Sequence, residues 1–216
     1  MSDKKHKERK LQLKWLTLYW RIVWGLVLLV FLVLLTVLIV WLVLRPTKPK
    51  FYLQDASVTF FNASSEFPNL ISVSIQVVIS TRNPNGRVGV YYDRLDVYAA
   101  YMSQQITPAT PLPPTYQGHK DVLLWSPFLC GVNVPIAPYL AASLAQDKSD
   151  GLLILRVKIL GRVRWKVGSW TSNRYRLTVD CPALLSFSGD RAVSGNGYYP
   201  SPLIRFQRTS SCSVSV

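Results

Sequence analysis

From Ile22 to Leu44 the chain reads IVWGLVLLVFLVLLTVLIVWLVL, 23 residues without a charge. Gly25 and Thr36 are its only departures from large apolar side chains. As a helix rising about 1.5 Å per residue it covers roughly 35 Å, enough to cross a hydrocarbon layer of about 30 Å with some tilt. A core helix in a domain of this size keeps a polar stripe, and this segment has none. The segment therefore predicts a membrane-spanning helix, with 21 residues before it and 172 after it. The longer piece suffices for one domain of ordinary size.

The formal charge of +14 is unevenly spread. Residues 1–21 hold Lys4, Lys5, Lys7, Arg9, Lys10, Lys14 and Arg21 against Asp3 and Glu8, whereas only Arg45, Lys48 and Lys50 closely follow the span. That asymmetry keeps a basic tail, residues 1–21, in the cytoplasm and sends the C-terminal part across. The apolar run exceeds the roughly 7–15 residues of a cleaved signal peptide and lacks a small-residue cleavage pattern, so an uncleaved signal-anchor is expected. Trp15, Tyr19, Trp20 and Trp24 near one end, and Trp41 at the other, suit the two membrane interfaces. The terminal SSCSVSV is too short and polar to signal a lipid anchor. Residues 45–50, with two prolines, read as a semi-rigid stalk.

From Phe51 the hydrophobic period changes to two. Val73, Ile75, Val77 and Ile79 alternate with Ser74, Gln76 and Ser80, and the same period of two runs through Leu153–Ile159, Val163–Val167 and Tyr175–Cys181. Tyr52–Phe61, Val88–Met102 and Lys120–Trp125 are further strand candidates, and Pro138–Gln146 is a short helix candidate with proline at its start. The chain is thus expected to be mainly β, an antiparallel β-sandwich of about seven strands over residues 51–182. Residues 183–216, rich in Ser, Gly and Arg without periodicity, are expected to be disordered. Cys130, Cys181 and Cys212 all fall on the exported side, and the odd count leaves at least one thiol outside any internal bridge. Alternation turns Cys181 inward, which suits a small buried residue; a bridge between Cys130 and Cys181 also stays open. With no C-x-x-C and only His6 and His119, no metal or other cofactor is expected.

The basic tail, the single span, the stalk ending in Pro49-Lys50-Phe51, and Asn83-Pro84-Asn85 followed by Tyr91-Tyr92-Asp93 stand together in this sequence. In that combination residues 20–182 resemble a plant family, the late-embryogenesis-abundant group 2 proteins of the NDR/HIN-like branch, which carry a water-stress-and-hypersensitive-response domain. The resemblance implies a fibronectin-like sandwich of the immunoglobulin-like class, a plasma-membrane address and roles in pathogen defence and stress. The residues themselves suggest structural duties. Pro84 presets a turn that Asn85 and Gly86 close with positive φ. Tyr91 and Tyr92 face opposite sides of a strand, and Asp93 accepts backbone N–H groups from a neighbouring loop.

Enzyme chemistry finds little support. His119 is the one exported histidine and sits among polar residues; Asp93 and Asp96, the one close carboxylate pair, fall on opposite faces of an alternating strand. Between Gly151 and Val179 there are seven cations and no acid: Arg156, Lys158, Arg162, Arg164, Lys166, Arg174 and Arg176. If their strands are neighbours they form a basic patch. Such a face also protects a sheet from aggregation, and it would attract acidic cell-wall polysaccharide, anionic lipid or a protein partner. Nucleic acid is excluded as a partner by the topology. The expected function is a non-enzymatic, membrane-anchored sandwich acting in defence and stress. A tether at plasmodesmata or endoplasmic-reticulum contact sites, or a sandwich that binds a lipid or another apolar ligand, are the other readings.

Asn62-Ala63-Ser64 is an N-glycosylation sequon on the exported side, after the first strand. Glycosidase treatment is expected to increase the mobility of the wild-type protein on a gel and to leave Asn62→Gln unchanged. A wild-type protein with no shift would remove the glycan.

Overall fold

The computed structural model describes residues 2–44, 46–63, 69–188 and 203–216. In chain order its elements are α1 (Ser2–Leu44), β1 (Lys50–Ala63), β2 (Leu70–Arg82), β3 (Gly89–Tyr101), β4 (Gln104–Gln105), β5 (Thr110–Leu112) and β6 (Thr115–Gln117). β7 (Val122–Trp125), β8 (Phe128–Pro135), α2 (Pro138–Asp150), β9 (Leu152–Val167) and β10 (Trp170–Thr171) follow. The chain ends with β11 (Tyr175–Ser188), β12 (Leu203–Phe206), β13 (Ser210–Ser211) and β14 (Ser213–Ser215). Two compact units divide at residue 45, the first helical and the second built from sheets.

α1 is one unbroken helix that begins at Ser2, so the basic segment and the apolar segment belong to the same element. Its Leu18–Ile39 stretch has a mean hydropathy of 3.2, and no residue of that stretch is buried. Exposed apolar side chains on every face of this stretch are compatible with a membrane anchor.

The second unit is a two-sheet antiparallel sandwich. One sheet has the order β13-β1-β2-β7, with β8 also on β2; the other runs β12-β11-β9-β3-β4, with β5 and β6 on β3, β10 on β9 and β14 on β11. Inward residues alternate with outward ones as a period of two requires. Val73, Ile75, Val77 and Ile79 of β2 meet Leu155, Val157, Ile159, Val163, Leu177 and Val179 in one buried cluster. Phe51, Tyr92 and Trp125 lock its centre, with Tyr92 edge-on to both other rings at centroid distances of 6.2 and 5.5 Å. α2 contributes Leu140 and Leu144, one turn apart, and stops at Gly151, whose φ of 77° places it in the left-handed region.

Several expectations need correcting. Leu153–Ile159 and Val163–Val167 are not two strands but one, because both runs keep odd-numbered residues inward and Gly161 continues that phase between them. The sandwich holds more than seven strand segments among the described residues, since the connections around β3 form short pairings of their own. The C-terminal segment is part of the fold rather than a disordered tail. β11 continues to Ser188, and β12 pairs with it from Leu185↔Phe206 to Ser188↔Leu203. β13 then joins β1 and β14 joins β11, so the last residues touch both sheets. Residues 189–202 lie outside the described residues. β1 runs through Asn62, whose register partner is Ser72, so the asparagine of the sequon is the penultimate residue of the strand rather than beyond it; Ser64 lies outside the described residues.

The disulfide joins Cys181 to Cys212, and the alternative bridge between Cys130 and Cys181 is not formed. Cys181 does point inward, as alternation requires, but β14 brings Cys212 beside it, while Cys130 faces outward from β8 and is exposed. The bridge closes a loop spanning 31 positions. Cys212→Ser is therefore expected to lower unfolding stability by about 3 kcal/mol, whereas Cys130→Ser should change it by less than about 0.5 kcal/mol. Chemical denaturation of the two variants checks both values.

Candidate functional site

Asn83, Pro84 and Asn85 lead from β2 into β3. The expected left-handed turn is absent, because neither Asn85 nor Gly86 has a positive φ. The asparagines act through their side chains instead. Asn83 is fully buried; its Nδ2 donates to the carbonyls of Val88 and Gly118 at 2.8 Å each, and its Oδ1 accepts from the backbone N–H and Nδ2 of Asn85. Asn85 in turn accepts from Thr47 N–H at 2.8 Å and from the Thr47 hydroxyl at 2.9 Å, and donates to the Thr47 carbonyl. The stalk is thereby fastened to the sandwich just before β1.

Tyr92 enters the core and Tyr91 covers the outer face. The Tyr92 hydroxyl donates to Gln117 Oε1 at 2.8 Å, and Gln117 Nε2 donates to the carbonyls of Thr81 and Asp121. Burial pushes the phenol well above its ordinary range, against the opposite pull of the hydrogen bond to Thr81. On the other side, Tyr91 packs on Tyr116 with centroids 4.6 Å apart, and the Lys166 ammonium donates to its hydroxyl at 3.2 Å.

Asp93 sits at a β-bulge. The register of β3 with β9 slips between Tyr92 and Arg94, so that Tyr92 faces Val163 while Arg94 faces Arg162. The extra residue changes the parity of the strand: Val90 and Tyr92 point inward before it, Leu95, Val97 and Ala99 after it. Asp93 and Asp96 consequently share the outer face, which corrects the expectation that strand alternation separates them. Gly161 permits the bulge to lean in, since a Cβ there would overlap the Arg94 carbonyl and the Leu95 side chain.

All seven predicted cations come to this outer face. β9 places Arg156, Lys158, Arg162, Arg164 and Lys166 outward in alternation, and β11 with its preceding residue adds Arg174 and Arg176. Asp93 accepts from Arg164 Nε at 2.9 Å and from Arg174 Nε at 3.0 Å, not from a loop backbone as expected from the sequence. Asp180 accepts from Arg156 at 2.9 Å, and Asp96 pairs with Arg94. Arg94 and its place in the patch were invisible to a count of residues 151–179. The phase slip from even to odd apolar positions between Tyr92 and Leu95 is the sequence signal that marks the bulge and brings Arg94 outward. His119 is exposed in the turn before β7, and no metal-binding group of three His, Cys, Asp or Glu residues forms among the described residues.

The fold and this face define an antiparallel β-sandwich joined to an N-terminal apolar helix. A family described as Late embryogenesis abundant protein matches residues 78–181, from within β2 to Cys181. NDR1/HIN1-like protein 1 of Arabidopsis thaliana is 50% identical over 91% of this chain and 92% of its own length. NDR1/HIN1-like protein 12 of the same plant is 45% identical over 87% of each chain, and NDR1/HIN1-like protein 26 is 38% identical over 85% of this chain and 82% of its own. The chain belongs to the NDR1/HIN1-like branch of the late-embryogenesis-abundant group 2 family, a stress- and defence-related family.

Burial pushes the Asp93 carboxyl up, but the hydrogen bonds and charges of Arg164 and Arg174 outweigh it and hold the group below the usual carboxylate range. Its contribution to stability is therefore complete above the unfolded value of about 3.9 and is lost as pH falls through the lower folded value. Asp93→Asn is expected to cost about 1 kcal/mol near neutral pH, less than a buried charged hydrogen bond because both arginines are partly solvated. The gap from wild type should close in acid, and unfolding midpoints from pH 7 down to pH 2 read it directly.

Proposed function

We propose that this protein crosses the plasma membrane once, with its N-terminus in the cytoplasm, and displays its β-sandwich outside the cell, where it serves defence and stress responses by binding rather than catalysis. The observation that carries the proposal is α1. Its apolar stretch Leu18–Ile39 has no buried residue, and the seven cations of residues 1–21 cluster at its N-terminal side. A helix with that flank orients by keeping its basic end in the cytoplasm. Family membership supports the defence and stress context, and none of the relatives compared is named for an enzymatic activity.

The disulfide supports the same sidedness, because Cys181 and Cys212 pair durably only in an oxidising compartment. A binding role fits the outer sheet face, where cations stand in ordered positions on neighbouring strands and no nucleophile, base and orienting group converge among the described residues.

Protease added to sealed cells that express a C-terminally tagged protein is expected to remove the tag and spare an N-terminal one. A protected C-terminal tag overturns the proposed topology. Accumulation of the tag at plasmodesmata or at endoplasmic-reticulum contacts, rather than evenly along the plasma membrane, would favour the tethering role instead.

A further inference from the structure

The basic face is less uniform than its composition suggests. Arg164 and Arg174 are held by Asp93, Arg156 by Asp180, and Lys166 by the Tyr91 hydroxyl and the faces of the Tyr91 and Tyr116 rings. Arg162 and Arg176 have no carboxylate at ion-pair distance among the described residues, although they stand directly opposite each other on β9 and β11. Arg94 stands opposite Arg162 on the other side. It meets Asp96 through Nε, with its side chain 75% exposed, so its terminal nitrogens remain open.

Three arginines therefore form one row across three neighbouring strands. Like charges placed opposite one another in a sheet destabilise it, and here no described acidic residue pairs with Arg162 or Arg176. The row borders a groove lined by Arg94, Arg162 and Arg174 together with Asp93, Asp96 and the exposed Leu160. With strands about 4.8 Å apart, the row spans about 10 Å, close to the length of two sugar residues.

We propose that this row is the docking site of a linear carboxylate-bearing polysaccharide, a polyuronate, lying across β3, β9 and β11. The inference rests on the external display of the sandwich and names the partner of its basic face. Each guanidinium offers paired N–H donors in the fork that a carboxylate accepts through both oxygens. A polymer with one carboxylate per sugar presents such groups at intervals along one line, which is the arrangement of the row. Leu160 offers apolar contact to the C–H face of a sugar ring. An anionic bilayer fits less well, because it presents its charges in a plane, whereas Arg94, Arg162 and Arg176 stand in a single line across the strands.

The test uses the full-length protein in nanodiscs of phosphatidylcholine, titrated with an oligogalacturonate of defined length and with its methyl ester. Wild type is expected to bind the acid at least about tenfold more tightly than the ester, with affinity falling as salt rises. Arg162→Gln combined with Arg176→Gln should lose at least about tenfold in affinity without lowering the thermal midpoint, since it also removes a like-charge contact. Arg162→Lys combined with Arg176→Lys keeps the charge, loses the fork, and should bind more weakly than wild type. Arg208→Gln, away from the row, should bind normally. Equal binding of acid and ester overturns the proposal, as does undiminished binding by the glutamine double variant. Binding to phosphatidylserine vesicles with none to the oligogalacturonate overturns it in favour of a headgroup site. Any of these results alongside an accessible C-terminal tag refutes the partner and leaves the topology standing.

Discussion

Asn83 uses every hydrogen-bonding position of its side chain inside the protein, two donated and two accepted. Through those bonds it joins the start of β3, the turn before β7 and the Asn85 side chain, and Asn85 holds Thr47. A buried amide left with an open position costs about 1–3 kcal/mol, so the four partners are mutually dependent. The point where the stalk enters is thus set by the same residue that closes the β2–β3 connection. Next to it, Tyr92, Gln117 and Thr81 form a second buried polar group that fixes how β6 and β7 approach the core. The family motif is a fastening, and its two asparagines and the second tyrosine are its inward half.

The outward half of that motif organises the other face. The bulge at Asp93 turns Tyr91, Asp93 and Asp96 to the same side, where each meets a member of the basic group. Local charge pairing therefore decides which cations are committed to the fold and which remain open. Arg164 and Arg174 converge on one carboxylate, whereas Arg162 and Arg176 face one another. A sheet with a single extra residue is enough to create this division.

Much of the architecture was legible in the chain. Unbroken apolarity from Ile22 to Leu44 marked α1, and the alternations around Val73, Leu153 and Tyr175 gave the long strands and their inward faces. The parts that escaped depend on partners remote in sequence. Nothing near Asn85 signals Thr47, 38 positions away, and nothing near Cys181 chooses Cys212 over Cys130. The C-terminal strands were hidden for a related reason: β13 and β14 are two and three residues long, too short for a period to show, and are held by their neighbours rather than by their own pattern. The basic face was half legible, because its cations follow the period while the acids that engage them lie on other strands.

The bridge between Cys181 and Cys212 also changes what a broken backbone means. The segment between β11 and β12 belongs to the covalent loop that this bridge closes, and β13 returns to Tyr52 and Leu53, the first strand after the stalk. A single cut in that segment leaves a two-piece chain still joined through sulfur, with its end still hydrogen-bonded beside Phe51. Such a nicked molecule keeps its molecular weight until a reductant is added. As long as the bridge stays oxidised, the terminal strands remain attached to the sandwich after the chain that led to them has been severed.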